Sequence, residues 1–325
     1  MKLLVTGGAG YIGSICVEQL VKMKNKVFVI DNLQEGNRDA AAPDAEFIKG
    51  DYGDKKLLIK VFAEFEIEAV IHFAAETTIK ESMTDPSLYF HNNLINGINL
   101  LDVMKEFACR KIIFSSTAAI FGEPEYTPIA ENHPANPINS YGESKLLFER
   151  VLDWYNRAYG LKFNTFRYFN AAGASEKYGE CHRNESHLIP LLIKAVLGQL
   201  EDFKLFGHDY PTKDGTCVRD YLHVIDIASA HILALDNLDK HPQGKYNLGN
   251  GEGFTNLEVL KMVENVSGEK IKYEFGPRRF GDPSTLIASA KKARQELGWR
   301  PKYPGLEDIV RSAWDWHKKH PRGYQ

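Results

Sequence analysis

Long hydrophobic runs are missing from this chain of 325 residues: no segment approaches the roughly 18 uninterrupted apolar residues that a membrane span requires. Cysteine is scarce too. Cys16, Cys109, Cys181 and Cys217 are scattered and form no CxxC pair, which argues against a disulfide framework and fits a reduced, cytosolic setting. No sign of charge dominates, because 40 Lys and Arg face 43 Asp and Glu for a formal net charge of −3, so neither nucleic acid nor an anionic membrane is an expected partner. The opening "MKLLVTGG" reaches glycine after too short an apolar run for a signal peptide. Repeats, low-complexity tracts and Pro/Ser-rich linkers are absent. "CHRNESH", 181–187, offers one Cys and two His with no second ligand cluster near it in sequence. It reads as a polar loop, and no metal site is expected.

What is present is an alternation. Hydrophobic residues make up 43% of the chain and charged residues 26%, ordinary values for a globular protein with a substantial core. Short β-branched or aromatic runs predict strands at 2–6, 26–31, 46–51, 69–75, 111–117 and 162–170, with helices between them at 11–23, 54–65, 86–107 and 141–159. Strands apolar on both faces and joined by helices imply an α/β fold with a doubly wound parallel sheet. After about residue 171 the pattern loosens into loops and helices at 187–199, 225–238 and 255–267, with a C-terminal amphipathic helix carrying Ile309, Ala313 and Trp316 on one face. Residues 1–170 therefore read as a nucleotide-binding domain and 171–325 as mainly a second, smaller α/β lobe, with the chain passing between them more than once.

"VTGGAGYIG" follows the first strand and opens the first helix. Its Gly7, Gly10 and Gly13 permit a tight turn and let backbone approach a pyrophosphate lying at the helix N-terminus. Asp31 ends the second strand 18 residues beyond Gly13. A carboxylate there accepts from both adenosine ribose hydroxyls and repels a 2′-phosphate, which favours NAD over NADP. Arg38 reads as a surface-loop residue. Asp51 is either an acceptor for the adenine amino group or a helix N-cap.

"YGESK" sets Tyr141 and Lys145 one helical turn apart. A phenol is a poor base at neutral pH, and a cation held beside it stabilises the phenolate. Thr117, at the end of the fifth strand, can donate to the same substrate oxygen. Together the three residues describe proton removal from an alcohol coupled to hydride transfer to NAD.

With these residues in view, the chain resembles the extended short-chain dehydrogenase/reductase family throughout its length, and within it the UDP-glucose (UDP-galactose) 4-epimerases. "TGGAGYIG", "VIDNL", "HFAA", "FSSTAAIFG", "YGESK", "RYFNAAGA", "HLIP", "DGTCVRDYLHV", "YNLGNG" and "RRFGDP" occur in the family's order, and "DGTCVRDYLHV" with "RYFNAAGA" is the most specific pair. The resemblance implies that Tyr141 takes the 4-hydroxyl proton while carbon-4 yields its hydride to NAD, and that the resulting 4-keto sugar is reduced on its other face. It places Tyr11, Ile12, Asn32, Phe73, Ala74, Ala75, Asn93, Ser115 and Tyr168 along the cofactor, with Phe169 beside the nicotinamide. It gives Asn170 to the substrate phosphates, Phe206 to uracil, Arg219 and Arg279 to the diphosphate, Asp282 to a ribose hydroxyl and Leu188 to the substrate. Leu286 would face the sugar's 2-substituent, where it would admit an N-acetyl group poorly. The family also implies a homodimer, with helices 86–107 and 141–159 pairing across a two-fold.

Departures are visible: Thr117 replaces a more usual serine, Thr77 stands where some relatives carry a phosphate-reaching lysine, and His187 stands where some have Asn. The rival reactions are weaker. A 4,6-dehydratase needs an Asp-Glu pair after the fifth strand, and here Ala118-Ala119 follow Thr117. A non-catalytic NAD-sensing regulator commonly lacks the Tyr and Lys. A UDP-N-acetylhexosamine 4-epimerase is an alternative, and so is a sugar dehydrogenase that releases NADH.

Overall fold

The computed structural model describes residues 1–279 and 282–324, so Phe280 and Gly281 of the "RRFGDP" motif lie outside the described residues. Along the chain run β1 (Lys2–Thr6), α1 (Tyr11–Lys22), β2 (Lys26–Asp31), β3 (Glu46–Lys49), α2 (Lys55–Phe65), β4 (Ala69–His72), α3 (Ile79–Ser82), α4 (Pro86–Tyr89), α5 (Asn96–Glu106), β5 (Lys111–Thr117), α6 (Ser140–Tyr159) and β6 (Lys162–Tyr168). There follow β7 (Asn170–Ala172), α7 (Leu188–Val196), β8 (Phe203–Phe206), β9 (Val218–Arg219), β10 (Tyr221–His223), α8 (Val224–Asn237), β11 (Gln243–Leu248), β12 (Phe254–Thr255), α9 (Asn256–Ser267), β13 (Tyr273–Gly276), β14 (Thr285–Leu286), α10 (Lys291–Glu296) and α11 (Leu306–Lys319).

Seven strands form one parallel sheet in the order β11-β6-β5-β4-β1-β2-β3. The two-residue side-chain period decides which core each position enters. Leu3, Val5 and Ile113 face a cluster completed by α1 and α8, whereas Leu4, Ile112 and Phe114 face one completed by α2, α5 and α6. Both faces of the inner strands are buried, so sequence offers no polar side to mark them, whereas β3 at the edge is half-exposed. The strand order reverses at β1, between β4 and β2, and ligands in such sheets bind in the crevice at the carboxyl ends there.

Several boundaries differ from expectation, and the helix expected over 187–199 ends at Val196. The third strand stops at Lys49 and the fourth at His72, where the Phe73 and Ala74 N–H groups both turn to the Thr6 carbonyl. The sixth stops at Tyr168, and β7 pairs instead with β10 in a separate small sheet. The helix expected over 86–107 is broken by a π-helical segment at Phe90–Ile95. Asn93 lies in that segment, and its buried amide turns inward to the Glu76 backbone and the Ser144 hydroxyl.

Beyond β7 the chain builds a second core in which α7, α9 and α11 pack around Leu192, Leu260, Ile309 and Val310. β11 returns to the edge of the large sheet beside β6. No described helix is long and apolar enough to cross a membrane.

Candidate active site

The glycine loop is built by close approach. Gly7 has φ +70°, and a Cβ on it would meet the Ala74 backbone nitrogen at 2.6 Å; one on Gly13 would meet the Gly7 carbonyl at 2.1 Å. Neither position tolerates a side chain. The loop delivers α1 with Gly10 as its N-cap, no capping side chain and no acid in the first turn. Its opening N–H groups, at Tyr11, Ile12 and Gly13, therefore lack intrahelical partners and suit an anion. Asp31 lies buried at the end of β2, with Oδ2 accepting from the Ala9 N–H at 3.0 Å and Oδ1 from the Leu33 N–H at 2.9 Å. Burial raises its pKa, and these two backbone bonds act against that. Each oxygen keeps a further lone pair for a ribose hydroxyl. This chemistry and the space left by the glycines fit a dinucleotide.

Asp51 is not the cap of α2; Asp54 caps it, accepting from the Lys56 and Leu57 N–H groups. Asp51 instead accepts from the Gly53 N–H at 2.7 Å, with Asn32 Nδ2 at 3.4 Å. Arg38 stacks over the Phe47 ring at 4.4 Å. Phe73, Ala74 and Ala75 leave β4 beside the glycine loop, half-buried. Asn93 is buried, and both ends of its amide are engaged by the chain itself.

At the other side of the reversal point, β5, β6 and α6 meet. Asn139 caps α6 by accepting from the Gly142 N–H, which starts the helix one residue ahead of Tyr141. Lys145 is buried, and its Nζ donates to the Ser115 carbonyl at 2.9 Å. The Tyr168 hydroxyl donates to Ser115 Oγ, so one strand residue anchors two side chains. Burial lowers the Lys145 pKa to about 7. Burial raises that of Tyr141, against an opposing hydrogen bond from Thr117. Burial is thus the leading cause of both shifts, since an ionised phenol and an ammonium group are each costly at that depth.

The residues that the resemblance assigns to substrate converge elsewhere. Leu188, Phe206, Arg279 and Asp282 line one cleft with Ser186, Leu191 and Asn256. The Arg279 guanidinium lies 4.7 Å from the Phe206 ring centre. Arg219 is buried and paired with Asp282, and it donates to the Val218 carbonyl at 2.7 Å. Asn170 opens β7 with its N–H on the Asp220 carbonyl. Leu286 joins the two regions: it pairs in register with Arg219 and packs, like Phe169, on the cluster of Ala118 and Leu146. Ala118 adjoins Thr117.

The model for the NAD-dependent epimerase/dehydratase family matches residues 3–249. The chain belongs to that family. A UDP-glucose 4-epimerase of Lacticaseibacillus casei is 49% identical over 100% of this chain and 99% of its own. A solved UDP-glucose 4-epimerase superposes with TM-score 0.97 at 48% identity, covering 100% of both chains. The Bifidobacterium longum UDP-glucose 4-epimerase, solved with NAD+ and UDP, superposes with TM-score 0.94 at 37% identity over 100% of each chain.

Sequence reading missed two supports of this epimerase/dehydratase-family site. Glu149 and Arg167 form a buried bidentate pair at 2.7 and 3.0 Å, and Glu149 also accepts from Ser116. Asp220 is buried and accepts from the Asn250, Gly251 and Ala288 N–H groups, tying together the loops behind Arg219. Burial raises Asp220 to about 6 against those bonds. The Asp within "VRDY" was visible, but its three partners are distant in sequence.

Proposed function

We propose that this chain interconverts UDP-glucose and UDP-galactose by NAD-dependent epimerisation at carbon-4 through a transient 4-keto sugar. The observation that carries the reading is the position of Leu286, which packs on Ala118 and Leu146, the chain neighbours of Thr117 and Lys145, and pairs in register with Arg219, the partner of Asp282 in the cleft. NAD, when bound, supplies the hydride acceptor and donor. The glycine loop and the α1 N-terminus hold its pyrophosphate, and Asp31 accepts from its adenosine ribose. Asp51 and Asn32 flank the adenine side. Phe73, Ala74 and Ala75 line the middle, and Ser115 and Tyr168 close the far end. Asn93 braces the loop behind Ala75.

Tyr141 removes the 4-hydroxyl proton and returns it after the sugar presents its other face. Thr117 donates to the same oxygen, and Lys145 sets the charge beside the phenol. Arg219 has donors to spare beyond Asp282 and joins Arg279 at the diphosphate, with Asn170 beside them. Phe206 packs on uracil, Leu188 walls the cleft and Leu286 limits the sugar's 2-substituent. Ala118 and Ala119 carry no proton-transferring group, which disfavours dehydration.

The molecule is read as a cytoplasmic homodimer. All four cysteines are free. Of the apolar residues on α5, α6 and the π-helical turn, Leu101 is buried and Leu94 and Val151 pack partly on the core, while Ile98 and Leu147 are half-buried and are the ones offered to a partner. The test is to mix purified protein with UDP-galactose without added NAD and separate the nucleotide sugars. UDP-glucose is expected, together with NAD(H) in the supernatant of denatured protein. A cofactor-free preparation that requires NADP contradicts the reading.

A further inference from the structure

Outside the site just described, the loop before α7 gathers four metal-ligating side chains. Glu180, His182, Glu185 and His187 each bring one donor atom to a common point, all within 4.8 Å of one another. The His182 Nδ1 lies 3.3 Å from Glu180 Oε1 and 3.5 Å from Glu185 Oε2. The His187 Nδ1 lies 2.7 Å from Glu180 Oε1 and 3.2 Å from Glu185 Oε1. Bonds of about 2.0–2.1 Å to a tetrahedral zinc ion place donor atoms roughly 3.4 Å apart, so this set needs little movement to close on one.

Three further observations point to a ligand. The His182 Nδ1 is shielded from solvent and reaches the two carboxylates only at 3.3 and 3.5 Å, without hydrogen-bond geometry. The Glu180 and Glu185 side chains are 5% and 3% exposed, and two carboxylates buried together need positive charge beside them, from a bound cation or from protonated His182 and His187. Glu185 Oε1 accepts from the Ser186 and His187 N–H groups at 2.9 Å, which fixes the orientation of the carboxylate.

We propose that Glu180, His182, Glu185 and His187 bind one divalent first-row transition ion, with zinc the best match to the donor set. Two neutral imidazoles and two carboxylates make the occupied site neutral. The ion is a brace. On one side the loop is tied to the turn after Asp31, with Arg183 donating to the Leu33 carbonyl and Asn37 to the Cys181 carbonyl. On the other side His187 is the N-cap residue of α7, whose first residue, Leu188, lines the substrate cleft. The polar-loop reading of 181–187 counted a Cys and two His but overlooked the pattern Glu-x-His-x-x-Glu-x-His, which begins one residue earlier.

The test is metal analysis of untagged holoprotein purified from zinc-containing medium without chelators, with the native chain compared with His182→Asn and His187→Asn. His187 is exposed, so its substitution spares the fold even where the change at His182 does not. About one zinc per native chain is expected, with loss of the metal in either variant. Chelation should lower the native melting temperature and zinc should restore it, with no such response in His187→Asn. Native protein that holds no zinc and whose melting is indifferent to added zinc overturns the site, leaving four side chains paired with one another. Zinc retained equally by His187→Asn also overturns it, as adventitious binding.

Discussion

Tyr141 and Lys145 stand one helical turn apart, and burial pushes their proton affinities in opposite directions. Removing the phenol oxygen takes away the proton acceptor but leaves the ring. Tyr141→Phe should therefore lower turnover by about 10²–10⁴-fold while the dinucleotide stays bound, as single-turnover rates and cofactor assay will show. Near-native turnover in that variant would remove Tyr141 from the chemistry. Lys145 gives a pH prediction for dinucleotide-free protein. Its pKa falls from 10.5 in the unfolded chain to about 7 in the fold, so between those values the unfolded chain binds more protons. This residue's contribution to stability therefore rises with pH across that window. Denaturant unfolding from pH 7 upward should show the native protein gaining on Lys145→Met, and parallel pH profiles would contradict the assignment.

Among the elements, α6 carries the most. It presents Tyr141 and Lys145 at its start and is bolted to β6 by the Glu149–Arg167 pair, whose side chains are 0% and 6% exposed. Glu149→Ala strands a buried guanidinium and should cost about 3–5 kcal/mol in chemical unfolding. A loss near zero would mean that the pair is dispensable. β14 carries the specificity prediction. Leu286→Ser should raise, and Leu286→Tyr lower, the kcat/KM for UDP-N-acetylglucosamine relative to UDP-glucose, since a methylene-sized change is worth about 1–3 kcal/mol in a pocket. An unmoved ratio in both variants would place Leu286 away from the sugar.

Legibility follows the same scale. β1, β2 and β5 were readable because their apolar runs end at glycine, Asp31 or Thr117, and the helices between them have clear periods. β11 was not, because "QGKYNL" reads as loop until β6 gives it a partner. The break at Phe90–Ile95 depends on where Asn93 finds partners across the fold, and no local pattern carries that information. Among candidate residues, the glycine loop, Asp31 and the Tyr-Lys pair could be read from spacing together with the strands and helices that flank them. The Arg219–Asp282 pair and the Glu180–His187 cluster depend on side-chain direction, and sequence spacing leaves that undetermined.

At the scale of the molecule, the α5/α6 surface predicts a dimer mass in light scattering at micromolar concentration, and a monomer mass would dispose of the pairing. The central claim is sharper: Tyr141 would take and return the 4-hydroxyl proton, while a tightly held NAD would supply the place where the carbon-4 hydride is kept and from which the same hydride returns. UDP-galactose deuterated at carbon-4 tests this with no added NAD. The account predicts UDP-glucose that retains the deuterium at carbon-4. Product whose carbon-4 deuterium has exchanged with solvent, or NADH accumulating with oxidised sugar, would contradict it.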